Sequence, residues 1–80
     1  MTDSPIKRHN YTQKAKVDKW EVAVSPDTGY GYYDHDIYGE GGGLWFDGKE
    51  LTDYDGRACL PTGVAEGLRQ LGYIVDESFE

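Results

Sequence analysis

The chain has 80 residues, with 15 Asp and Glu against eight Lys and Arg and a net charge of −7. That length holds one domain with a small core and little room for a catalytic pocket, and so acidic a body repels nucleic acid and attracts basic surfaces. A single cysteine, Cys59, excludes an internal disulfide. An intracellular, reducing setting is therefore expected. The N-terminus "MTDSPIKRHNYTQKAK" carries no apolar core of a signal peptide, and no apolar run approaches a membrane span. A soluble cytoplasmic protein is expected.

The charge is unevenly spread. Residues 1 to 19 set Lys7, Arg8, Lys14, Lys16 and Lys19 against Asp3 and Asp18, a balance of +3, whereas residues 20 to 80 hold a balance of −10. Residues 1–16 are polar, lack periodicity and contain Pro5, which reads as a flexible basic arm ahead of a single α+β domain over 17–80.

"VDKWEVAVS", residues 17 to 25, alternates: Trp20, Val22 and Val24 share one side, Lys19, Glu21 and Ala23 the other, as in a half-buried strand. "SPDTG" is a turn, and a second strand starts near Tyr30. Its parity places Tyr33 and Ile37 toward the core with His35 between them. Tyr30, Tyr32, Asp34, Asp36 and Tyr38 form an outward stripe. "GEGGG", 39 to 43, reads as a break in the strand. Asp47-Gly48 reads as a two-residue hairpin loop that sets Leu44 opposite Leu51 and turns Trp45 and Asp47 outward. "TDYDGR" is rich in turn residues.

"LPTGVAEGLRQLGYIVDE" reads as a helix and then a short strand. Pro61 suits the first turn, Val64, Leu68 and Leu71 form one apolar stripe, and Gly72 ends the helix before Tyr73-Ile74-Val75. Gly63 and Gly67 lie beside the stripe and suit a close approach to an aromatic sheet face. The expected fold is a small antiparallel sheet of about four to five strands packed against one C-terminal helix.

Catalytic and metal chemistry find little support. Cys59, His9 and His35 are far apart in sequence, and Cys59, between Ala58 and Leu60, suits a small buried hydrophobe. In a strand, Asp34 and Asp36 point away from His35, so the three cannot share an ion. Asp53-Tyr54-Asp55-Gly56 fails the calcium-loop spacing, since Arg57 falls at its fifth position. "GEGGG" lacks the phosphate-loop spacing and holds a glutamate. No cofactor, metal or enzymatic activity is expected.

An acidic, aromatic surface fits a basic groove instead. Alternate strand residues lie about 6.6 to 6.8 Å apart, of the order of the spacing between neighbouring phosphates on a wound strand. Asp34 and Asp36, with Asp53 and Asp55, can take positions built for phosphates, while tyrosines supply rigid contact area. The candidate contacts are Asp34, Asp36, Glu40, Asp47, Glu50, Asp53 and Asp55, with Tyr32, Tyr38 and Trp45.

The stretch "YYDHDIYGEGGGLWFDGKELTDYDG" followed by "LPTGVAEGLRQLGYIVDESF", within residues 30 to 79, resembles short acidic proteins of phages and mobile elements, anti-CRISPR proteins among them. The resemblance implies a small α+β domain that is similar to DNA in charge. It implies an inhibitor that blocks the surface on which a CRISPR surveillance complex binds its target, as a monomer or small homo-oligomer in the cytoplasm of a bacterial host. Uracil-DNA glycosylase inhibitors are similar in size and charge. The alternatives are an antitoxin-like or regulatory protein that masks another basic protein, and a small metal- or cysteine-dependent enzyme.

Overall fold

A computed structural model describes residues 10–39, 41–56 and 58–80. Five strands run as an antiparallel meander in the order β1 (Gln13–Val17), β2 (Trp20–Ser25), β3 (Tyr30–His35), β4 (Gly41–Asp47) and β5 (Glu50–Tyr54). Helix α1 (Thr62–Gln70) lies across β1 and β2. The architecture is the expected α+β fold.

Gln13–Lys16, read from sequence as part of the arm, instead form most of the edge strand β1, and residues 1–9 lie outside the described residues. The strand expected from residue 17 begins at Trp20, because Asp18 and Lys19 form a two-residue turn with Asp18 at φ 56°. Aspartate tolerates that left-handed geometry better than most residues. "SPDTG" turns as expected, with the amides of Thr28 and Gly29 donating to the carbonyl of Ser25.

The sheet face beneath the helix carries Val22, Val24, Tyr33, Leu44 and Leu51, joined in one core with Leu60, Val64, Ala65 and Leu68. The helix comes close because two of its residues lack a Cβ. A Cβ at Gly63 would sit 2.7 Å from Cδ1 of Trp20, and one at Gly67 would sit 3.1 Å from Cγ2 of Val22. Pro61 stands one position before the first helical turn, as the cap residue. Gly72, at φ 95°, ends the helix, where the Tyr73 amide donates to the Leu68 carbonyl and the Gly72 amide to the Arg69 carbonyl.

Further expectations change. Ile37 is 62% exposed, because β3 stops at His35 and a turn follows. Gly41, Gly42 and Gly43 do not break a strand but open β4, paired with Asp34, Tyr33 and Tyr32. Glycine is needed there: a Cβ at Gly41 would clash with the Tyr33 carbonyl oxygen, and one at Gly42 with the Asp55 carbonyl oxygen. The β4–β5 loop is Gly48-Lys49 rather than Asp47-Gly48, with Gly48 at φ 63°. A glycine at the first loop position suits the twist of a two-residue hairpin. Leu44 consequently faces Tyr54 and Leu51 faces Phe46, with a bulge between Trp45 and Phe46, although both leucines remain in the core. Tyr73-Ile74-Val75 makes only one parallel bridge, Ile74 to Glu50, along the open edge of β5.

Gly63→Ala tests the close approach. Helix propensity alone favours alanine by about 1 kcal/mol, but the new methyl overpacks Trp20, at a typical cost of about 1–3 kcal/mol. The net loss is about 0–2 kcal/mol, so the melting temperature should fall, by roughly 5 °C at the middle of that range. A rise would mean that the helix does not rest on Trp20.

Candidate partner-binding face

The face of the sheet away from the helix is set by the strand register. Tyr32, Asp34, Trp45, Asp47, Glu50 and Asp53 come together on it, as their parity and pairing require. Tyr30 stands opposite Trp45, and Trp45 opposite Asp53. Asp47 pairs with Glu50 at the hairpin end, and Asp34 pairs with Glu21 toward the other end. Acids therefore lie at both ends of a central aromatic patch. Counting strand steps, Asp34 and Asp47 are about 20 Å apart.

The patch contains two residues absent from the sequence-derived set. The Tyr11 ring meets Tyr32 edge-on with centroids 4.9 Å apart, and Tyr30 at 6.4 Å. Tyr30 meets Trp45 at 5.5 Å and 71°. Such pairs contribute about 0.5–1.5 kcal/mol each beyond area burial. The benzo end of the Trp45 indole leans over Gly43, where a Cβ would sit 2.9 Å from Cη2. Beside these rings Ala23 and Ser25 are buried, which turns the expected half-buried β2 into a strand covered on both faces. The Asn10 amide donates to Oγ of Ser25, anchoring the residues before β1 to this face. Thr52, the extra residue at the bulge, donates through its hydroxyl to the Trp45 carbonyl.

Three expected contacts are engaged otherwise. Asp36 follows the last residue of β3 and is lost to the stripe as a free charge, because a lysine of the same face neutralises it. Its amide donates to the Lys19 carbonyl and its carboxylate pairs with Lys16. Tyr38 turns back to stack on His35, with centroids 4.9 Å apart, and the His35 ring meets Trp20 edge-on. Nδ1 of His35 accepts from the amides of Ile37 and Tyr38, which holds this turn. Asp55 serves its own loop through its backbone: its amide donates to the Gly43 carbonyl and its carbonyl accepts from the Tyr33 hydroxyl. Its carboxylate accepts from the following amide, as those of Asp34 and Asp53 do. Glu40 lies outside the described residues.

Cys59 is exposed rather than buried, because Leu60 takes the core position after it. Cys59 lines a shallow cleft with Trp20, Pro61 and Thr62. Among the described residues no group of three His, Cys, Asp or Glu side chains is arranged to hold a metal ion. No helix among them is long and apolar enough to cross a membrane. Compared with family models, curated proteins and solved structures, the chain matches none.

The electrostatics separate Asp36 further from the other acids. The Lys16 hydrogen bond holds its carboxyl below the usual aspartate range, and Asp36 in turn raises Lys16. The contribution of a lowered carboxyl is present above its unfolded pKa and is lost as pH falls through the folded one. The pair is exposed, so it adds little stability. In Lys16→Gln, carboxyl-carbon NMR should find Asp36 titrating back in the ordinary aspartate range, with the melting temperature nearly unmoved. An unchanged Asp36 titration would rule out Lys16 as its cause.

Proposed function

We propose that the chain is a non-enzymatic inhibitor, an anti-CRISPR protein of the DNA-mimic type that acts in the cytoplasm of a bacterial host. Its open sheet face covers the basic surface on which a CRISPR surveillance complex binds target DNA. The observation that carries this reading is the placement of the acids: Asp34, Asp47, Glu50 and Asp53 share one face, and none forms an ion pair with a cation among the described residues. With Glu21 these acids outnumber Lys14 and Lys16 on the face, and its net negative charge attracts a basic surface and speeds encounter, with a rate that falls as salt rises. The aromatic patch between the acids supplies apolar contact area of the kind that anchors interfaces.

A pull-down from a host that carries a CRISPR system, followed by competition with target DNA, tests the reading. The chain should capture the complex and exclude its DNA. Asp34→Asn, Asp47→Asn and Asp53→Asn together should weaken capture by ~10-fold or more, whereas Asp36→Asn, already neutralised by Lys16, should not. If the captured complex still binds DNA, the mimic mechanism falls. Capture of an unrelated basic protein instead would favour the masking of another partner.

A further inference from the structure

Resting on the reading of the open face as a cover for a basic surface, we infer that this face selects arginine over lysine. Guanidinium groups stack on Trp45 and Tyr32 and turn their N–H forks to Asp53 and Asp34. Each ring has a carboxylate within one side chain's reach. Trp45 and Asp53 are directly opposite in the register, which sets their Cβ atoms about 4.5–5.5 Å apart. Tyr32 and Asp34 are alternate residues of β3, about 6.7 Å apart on the same side.

A cation over a ring is held within about 6 Å of the centroid, and a planar guanidinium can lie on the ring while it donates in its own plane to a carboxylate. A lysine ammonium is a compact, strongly hydrated point charge, and must give up water to approach the ring without gaining the fork.

The two rings are fixed without being covered. Tyr30 meets Trp45 edge-on while Gly43 leaves room beneath its benzo end, and Tyr11 meets Tyr32 at 79°. Trp45 remains 40% exposed and Tyr32 37%. Rings held in place lose little conformational freedom on binding. Three of the described cations are engaged elsewhere: Lys49 lies over the Tyr73 ring, Lys16 pairs with Asp36, and Arg69 pairs with Glu80. Lys14 stands on this face at the β1 edge, opposite Ala23 and one strand further from Tyr32. Single-stranded nucleic acid also stacks on aromatic platforms, but it needs a basic groove, and the ends of this patch are acidic.

Titration of the full chain at low salt with an octa-arginine peptide and an octa-lysine peptide tests the inference. The arginine peptide should bind ~10-fold tighter and should change tryptophan fluorescence. Trp45→Leu should reduce the preference to ~2-fold or less, with Trp20 reporting that the variant is folded. Equal binding of the two peptides, abolished for both by Asp34→Asn, Asp47→Asn and Asp53→Asn together, would overturn the arginine selectivity and leave the basic-surface reading standing. Failure of both peptides to bind would remove both readings. Preferential binding of oligothymidylate would overturn the inference in favour of base stacking.

Discussion

A five-stranded sheet has two faces, and the described residues hold one α-helix, of nine residues, with which to cover them. The helix rests mainly on β1 and β2, through the glycines that let it lie on Trp20 and Val22. Beneath β4 and β5 the same face is closed by the chain after the helix. Tyr73 packs on Phe46, Phe79 meets Tyr54, and the Leu60 amide donates to the Phe79 carbonyl. The helix and the chain after it are thereby both used on one side. Among the described residues, the other side meets solvent with what the strands carry and with Asn10 and Tyr11, and an exposed face of that kind is open to a partner.

The chain deals with that second face by a partial closure. Asn10 and Tyr11 reach across toward Ser25, Tyr30 and Tyr32, so that Ala23 and Ser25 are buried without a second layer of regular structure among the described residues. Trp45 leans over a glycine and covers it, which protects a strand that would otherwise be weak. Beyond this cluster the face carries charge. Lys14 and Lys16 occupy β1, and the acids stand on the later strands. Edge lysines also discourage strand addition to β1.

How far the sequence reveals this differs by element. The helix and its stop were legible because an apolar stripe, Pro61 and Gly72 all point to one segment. The β2–β3 hairpin was legible from alternation ending at Pro26-Asp27. Strand β1 was not, since Gln13, Ala15 and Val17 alternate too weakly with lysines to stand out from a polar arm. The glycines of β4 misled for a physical reason: local propensity assigns them to a loop, and only the approach of the Tyr33 and Asp55 carbonyls shows why no Cβ can stand there. In the face itself, parity identified Tyr32, Asp34, Trp45 and Asp47, because parity is a property of the strand alone. It failed at Asp36 and Tyr38, where the strand had already ended, and it had no means of finding Tyr11, which arrives from across the sheet.

The loss of Asp36 from the stripe changes what kind of surface this is. A run of aspartates at every second position would present charge at the repeat of a phosphate backbone. The observed face instead presents charge at two ends with rings between them, and Asp53 beside the rings at the β5 edge. Charge at that separation still steers a basic partner, because the field sums over the face and needs no matching repeat. It discriminates poorly among basic partners for the same reason. Discrimination then passes to the rings, which Tyr11, Tyr30 and Gly43 contact, and to the carboxylate beside each one. A partner is recognised on such a face by where its planar cations stand rather than by how many charges it carries.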